Sequence, residues 1–240
     1  MFDKYFEVFL ADTNEAKQIH FNIRFKVYCE EMGFENKEKF PTEQETDHWD
    51  NNATHFLVRL RHTQEWIGAV RLVKHIGKSL PLETHCAVTE PTSKINSVEL
   101  SRLCLVKEIR KPFFDNPYGI SENRPEQAES TDNNVNLFFS HNNVKQSIIW
   151  GLFRAASLYS AENNIKKWYF LTTKALARII TRKGFQMISA GKPCEHRGKR
   201  FPYKMDVNDI LSSDFWNDYN NGYRLYSELE APSYTKTATA

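Results

Sequence analysis

The segment ETDHWD sets three carboxylates, Glu45, Asp47 and Asp50, within six residues around Trp49. Acids this close repel one another unless cations sit beside them, and in an extended segment Glu45 and Asp47 point the same way. Taken alone, the cluster reads as a solvated acidic loop. Three arginines elsewhere offer partners: Arg24 in FNIRFKVYCEEMGF, Arg71 in IGAVRLV and Arg102 in VELSRLCL. Arg24 lies one residue from an apolar helical stripe, so its head either snorkels to solvent or enters a cleft at the edge of the core. Arg71, flanked by Val70 and Leu72 on a strand, points to the face opposite them, where a guanidinium is either solvated or paired. VELSRLCL carries Glu99, Ser101 and Arg102 within four residues. Period-two alternation places Glu99, Ser101 and Leu103 on one face and Leu100, Arg102 and Cys104 on the other. Polar groups on a strand bounded by apolar residues indicate a lined pocket. Such a network could hold a polar substrate, or fix the acidic loop over the pocket.

The elements that must position these residues follow from periodicity. Tyr5 to Leu10 reads as a first strand. Asp12 and Glu15 form a capping pair opening a helix whose stripe is Ala16, Ile19, Ile23 and Val27, with Gly33 as its stop. Residues 35 to 52 form a polar loop. His55–Arg61, Trp66–Val73 and Val98–Val106 read as an antiparallel meander, because the first connection is too short for a crossover. Residues 112 to 143 form a polar insert. Beyond it, Val144–Glu162 is a central buried helix, Trp168–Thr173 a strand, Lys174–Lys183 a helix stopped by Gly184, and Phe185–Ala190 and Arg200–Val207 strands. Aromatic-rich Phe215–Tyr226 reads as a packing helix. A meander followed by αβα elements predicts an α/β fold with a mixed sheet covered on both faces. The chain is thus one domain over residues 1 to 230, with a disordered tail from 231 to 240.

Composition narrows the function. Of 240 residues, 40% are apolar, and the formal charge of +2 argues against a whole-surface nucleic-acid or membrane binder. The balance is uneven: residues 174 to 204 hold nine Lys or Arg against one acid, Glu195, which marks a docking surface for an acidic partner. Cys29, Cys86, Cys104 and Cys194 show no metal-ligand spacing, so neither zinc nor a disulfide framework is expected, and free thiols in a reducing cytoplasm are. The N-terminus lacks a basic leader and a cleavage site. No apolar run approaches the ~18 residues of a membrane span.

In chain order, Arg24, the ExDxxD triad, Arg71 and ELSR at 99 to 102 resemble the bacterial autoinducer synthases, GNAT-fold enzymes that make acyl-homoserine lactones, and the long-chain N-acyl amino acid synthases. The EMGFE, LPLE and ELSRLCLVKEIRK segments look most like the PEP-CTERM/exosortase-associated acyltransferases. The resemblance is dense from about residue 6 to 111 and diffuse beyond. Autoinducer synthases usually carry a Trp just after the first helix and a Phe inside the acidic motif; this chain has Phe34 and Trp49, in the region that shapes the amine pocket.

The resemblance implies a GNAT-like αβα sandwich whose central sheet splays between two parallel strands, Val98–Val106 and Trp168–Thr173, to grip a pantetheine arm. It implies an N-acyltransferase in which Glu99 holds the ammonium and accepts its proton, with Ser101 and Arg102 beside it. Arg24 and Arg71, with Glu45, Asp47 and Asp50, would build the amine side. Acetyl-CoA-using relatives seat the pyrophosphate on a Gly-rich loop at a helix N-terminus. Here VKEIRKPFF follows the ELSR strand and contains no glycine. An acidic acyl carrier protein is therefore the expected donor, with acyl-CoA as the alternative and no tightly bound cofactor or metal. Lys107, Arg110 and Lys111 would meet its phosphate, and Lys174, Arg178 and Arg182, four residues apart on one helix face, its acidic surface. Two other readings stand beside this one: an acyl-homoserine lactone synthase using S-adenosylmethionine, and a non-catalytic sensor of the acyl carrier.

Overall fold

The chain begins with a short turn of helix, α1 (Phe2–Tyr5), feeding strand β1 (Phe6–Leu10). Thr13 then caps helix α2 (Asn14–Phe25), its Oγ1 accepting from the Ala16 N–H at 3.1 Å. The cap lies one residue beyond the expected Asp12, whose carboxylate instead accepts from Ser227 near the C-terminus. Past Phe25 the helix widens into a π-turn over Lys26–Glu31 and stops before Gly33, at a φ of 62° that glycine adopts freely. The computed structural model describes residues 2–75, 79–89, 92, 96–110, 141–219 and 221–230.

The meander is present as β2 (Ala53–Leu60), β3 (Trp66–Lys74) and β4 (Ser97–Leu105), antiparallel throughout. A single turn, α3 (Lys107–Arg110), follows β4. The long helix α4 spans His141–Glu162, so the last three residues assigned to the polar insert belong to it; residues 111 to 140 lie outside the described ones. Strand β5 (Lys167–Thr172) and helix α5 (Lys174–Arg182) come next. The expected strand at Phe185–Ala190 shrinks to β6 (Ile188–Ser189), and a second short strand, β7 (Cys194–Glu195), hairpins onto β8 (Lys199–Asp206). The C-terminal region departs from the helix expected over Phe215–Tyr226. After α6 (Val207–Leu211) it forms a 3₁₀ turn, the two-residue strand β9 (Arg224–Leu225) and α7 (Ser227–Glu230). Its aromatics still pack inward, with Trp216, Tyr219 and Tyr226 buried, but the chain wraps the core instead of laying a helix on it.

These strands make one mixed sheet in the order β6-β8-β5-β4-β3-β2-β1-β9. It is covered on both faces. On β2, His55 meets Phe21 of α2, whereas the next residue, Phe56, packs edge-on against Tyr159 of α4. Successive strand side chains face opposite ways, so α2 and α4 lie on opposite sides. Among the described residues no helix is long and apolar enough to cross a membrane.

Candidate active site

β4 and β5 are parallel but pair only from Ser97–Lys167 to Glu99–Tyr169. Beyond that point the strands diverge, and β4 runs on to Leu105 without a ladder partner on the β5 side. The wedge opens into a cavity of about 330 Å³ lined by β4 from Glu99 to Leu105 and by β5 from Phe170 to Thr172. Its lining includes polar Arg71, Glu99, Ser101 and Arg102 and apolar Leu105, Ile149, Phe153, Phe170 and Leu176, with Arg110 and Lys145 beside Leu105 and Ile149. Met32 and Phe34 are exposed apolar residues on its wall.

The three arginines converge on the acidic loop. Arg24 donates from Nε to Glu45 Oε2 at 2.5 Å and from Nη1 to Asp50 Oδ1 at 2.7 Å. Arg71 grips Asp47 with both terminal nitrogens, at 2.7 and 2.9 Å, and reaches Asp50 Oδ1 at 2.6 Å. Arg102 Nη2 donates to Glu45 Oε1 at 3.1 Å and to Asp47 Oδ2 at 3.0 Å. Three cations and three anions cancel, and this pairing is what lets Arg24 and Arg71 sit at 0% and 1% exposure. The snorkelling alternative for Arg24 is excluded. The acids also fold their own loop: Asp47 accepts from the Trp49 N–H, and Asp50 Oδ2 accepts from the Asp47 N–H at 2.8 Å, a reciprocal cap on the 3₁₀ turn His48–Asn52. Asp47 and Asp50 thus each accept from both backbone and guanidinium, whereas the Glu45 carboxylate accepts from Arg24 and Arg102.

Burial works to raise the Asp50 pKa, but the hydrogen bond from His55 and the charges of Arg24 and Arg71 outweigh it. The carboxyl is held well below the usual range. Asp47 is lowered in the same manner, chiefly by Arg71 acting against burial. His55, 3.1 Å from Asp50, is itself depressed by burial and therefore neutral.

Strict alternation along β4 fails at the residue that matters most. Arg71 opposes Ser101 and Ala69 opposes Cys104, so Arg102 and Leu103 together face the single residue Val70. This is a β-bulge, with Arg102 in the left-handed region at φ 55°. The bulge turns Arg102 to the same side as Ser101, whose Oγ accepts from Arg71 Nε at 3.1 Å. Period-two counting had put Ser101 and Arg102 on opposite faces.

Glu99 precedes the bulge and is 3% exposed. Its Oε2 accepts from the Leu82 N–H at 2.6 Å. Burial pushes its pKa up to about 8, against the opposing pull of that hydrogen bond and of Arg71 and Arg102. A carboxyl with that affinity for protons, lining a cavity, is suited to exchange one with an amine.

The basic residues divide. Lys174, Arg178 and Arg182 lie exposed along α5, and Lys107 is exposed on α3. Arg110 is already engaged, with Nη2 on Glu31 and Nε on the Leu105 carbonyl at 2.8 Å, so it is not the free cation the sequence promised. Lys111 lies outside the described residues. The expectation of four free thiols is also corrected: Cys86 and Cys194 form a disulfide, while Cys29 and Cys104 are free and buried. Their separation of 108 residues hides the fact that the segment after Leu82 and the approach to β7 lie side by side.

Tyr28, His85 and His196 on the wall went unnoticed in the sequence, and Arg197 and Arg200 were counted there only as part of the basic excess over residues 174 to 204. Tyr28 donates from its hydroxyl to the Leu103 carbonyl at 3.2 Å, and the guanidiniums of Arg102 and Arg197 lie over its ring. Its place four residues after Arg24 on the same helix face was the available signal. His85, His196, Arg197 and Arg200 carry no local motif at all. Among the described residues no group of three or more His, Cys, Asp or Glu side chains could hold a metal ion.

A mixed sheet splayed between two parallel strands, with helices on both faces, defines the GNAT-type fold, and residues 23–114 match the family model described as an acetyltransferase (GNAT) domain. That span contains the whole arginine–carboxylate network and Glu99. Among solved structures, the chain resembles the CoA-dependent acyl-homoserine lactone synthase BjaI, solved with SAM and isopentyl-CoA, at 16% identity and a TM-score of 0.59 over 92% of both chains. It resembles the AHL synthase LasI at 15% identity and a TM-score of 0.56, over 85% of this chain and 90% of that one. It resembles FeeM, an N-acyl amino acid synthase from uncultured soil microbes, at 12% identity and a TM-score of 0.54, over 89% and 98% respectively. At these identities the likeness is one of fold. No curated protein matches the chain in sequence.

Proposed function

We propose that this chain is an N-acyltransferase that moves a long-chain acyl group from an acyl carrier protein thioester onto the amine of an amino acid or similar small molecule. The observation that carries this reading is the cavity in the splay, which brings Glu99, Ser101 and Arg102 together with apolar side chains of β4, β5, α4 and α5. The GNAT-domain match over the same strands supports it. The pantetheine arm would enter between β4 and β5, where unpaired β4 backbone N–H groups polarise the thioester carbonyl. Glu99, as carboxylate, takes a proton from the bound ammonium. The freed amine attacks the carbonyl carbon, the C–S bond breaks, and the departing thiolate takes up the second proton shed by the attacking nitrogen, while Glu99 returns the first to solvent. Arg24, Arg71, Arg102 and their carboxylates act by holding the cleft in shape, with Ser101 fixed against Arg71.

The carrier protein would dock on the exposed Lys174, Arg178 and Arg182 of α5, with Lys107 near the mouth. A second reading is favoured by the fold neighbours BjaI and LasI: acyl-homoserine lactone synthesis with S-adenosylmethionine supplying the amine, from acyl-CoA in the manner BjaI's description gives. Phe34 and Trp49 weigh against it. Comparing kcat/KM for matched dodecanoyl-carrier and dodecanoyl-CoA donors tests the choice. A carrier preference that weakens steeply with salt supports the proposal; equal use of both donors, or CoA alone, removes the carrier protein from it.

A further inference from the structure

Four arginines on the cavity wall each hold a carboxylate of this chain: Arg71, Arg102, Arg110 and Arg197. Arg200 does not. Its Nη1 makes a long 3.4 Å contact to the neighbouring Lys199 carbonyl, and no acid pairs with it among the described residues. It lines the cavity beside His196, which stacks on His85 with ring centroids 3.8 Å apart. Burial, then His85, Arg102 and Arg200, push the His196 pKa down to about 4; burial, then Arg102, lowers that of His85. Burial and the nearby cations disfavour a charge on either imidazole, which leaves both able to donate an N–H beside Arg200, whose own charge meets no acid among the described residues.

The cluster is held in place. The Cys86–Cys194 disulfide joins the residue after His85 to the residue two before His196. Val88 bridges Gly191, and Lys192 N donates to the Ala87 carbonyl at 3.0 Å. A Cβ on Gly191 would lie 2.3 Å from that same carbonyl, so only glycine permits the approach. The 3₁₀ turn preceding His85 also supplies the Leu82 N–H that holds Glu99. Cation cluster and proton acceptor are thus fixed by one segment on one cavity.

We infer that Arg200, with His85 and His196, seats the carboxylate of the acceptor, which makes that acceptor an α-amino acid rather than a simple amine. A guanidinium fork flanked by N–H donors matches a carboxylate in charge and shape. In an α-amino acid a single carbon separates carboxylate from amine, so a carboxylate held at Arg200 would keep the amine inside the cavity that Glu99 also lines. The inference rests on the acyl-transfer reading above, and its test separates the two. Binding of N-dodecanoyl-leucine and of N-dodecanoyl-leucinamide is measured by calorimetry with the intact protein. The carboxylate is expected to bind at least ten-fold more tightly than the amide. Arg200→Gln is expected to erase that preference and Arg200→Lys to keep part of it; Arg200 sits at the end of an edge hairpin, and matched circular dichroism melts confirm folding. Equal affinities in the native protein, a preference that survives Arg200→Gln, or no binding of either compound overturns the subsite. Turnover of uncharged amines alongside equal affinities would sink the subsite and leave acyl transfer standing. A clear carboxylate preference with no turnover of any amine would do the reverse.

Discussion

Burial outweighs the Leu82 N–H, Arg71 and Arg102, all of which favour the charged form of Glu99, and pushes its pKa up to about 8. Below that pH it is protonated and cannot take a proton from an ammonium group. Activity at saturating donor should therefore rise with pH through about 8, and Glu99→Gln should remove that limb while lowering kcat by about 10² to 10⁴; pH–rate profiles of the two proteins check it. The arginines behave differently. Arg71→Met or Asp50→Asn leaves a buried partner uncompensated, and each should cost about 3–5 kcal/mol of stability in urea unfolding. Asp47 and Asp50 have folded pKa values depressed below those of the unfolded chain. Their stabilisation is complete above the ordinary aspartate range and is lost as pH falls below it, so unfolding midpoints should drop from about pH 4 downward. A protein whose stability stayed flat to pH 2 would contradict the pairing.

At the scale of elements, β4 is decisive. Its composition marked a pocket strand, and the meander around it was legible because β2, β3 and β4 are short, largely apolar runs separated by polar or proline-containing connections. The bulge was not legible. Nothing in VELSRLCL announces a left-handed residue, since Arg102 has neither the side chain of glycine nor that of asparagine, and the ion pairs with Glu45 and Asp47 that accompany the conformation form only in the fold. Comparing Arg102→Gly with Arg102→Ala isolates that strain. Both lose the guanidinium, but glycine accepts φ 55° freely, so the glycine variant should be the more stable by about 1 kcal/mol. Equal stability would show that the bulge relaxes when the ion pairs go. The C-terminal elements were misjudged for a related reason: Phe215–Tyr226 is apolar enough for a helix, but its burial is satisfied by a strap that crosses to pair with β1. The disulfide escaped because pairing of residues 108 apart is a property of the fold.

At the scale of the molecule, the sheet divides the work. Its β1–β4 side carries the network that fixes the acidic loop, all within the stretch matching the GNAT family, and its β5–β8 side carries the basic surface and the hairpin that closes the cavity. The order of motifs in the sequence disclosed the first half. The second shows only as an excess of Lys and Arg, with no spaced motif to mark it. Reversing that charge by K174E/R178E/R182E should raise KM for an acyl-carrier donor at least ten-fold while leaving a truncated pantetheine thioester little changed. An equal loss on both donors would mean that α5 supports the fold and does not dock a carrier.

The most direct measurement follows thiol release and product mass together, with a dodecanoyl carrier thioester and a panel of amino acids and simple amines. One equivalent of free carrier thiol per equivalent of new N-dodecanoyl amide, lost in Glu99→Gln, is the predicted result. Thiol release with no amide, or no release alongside tight carrier binding, would contradict acyl transfer to an amine in this cleft.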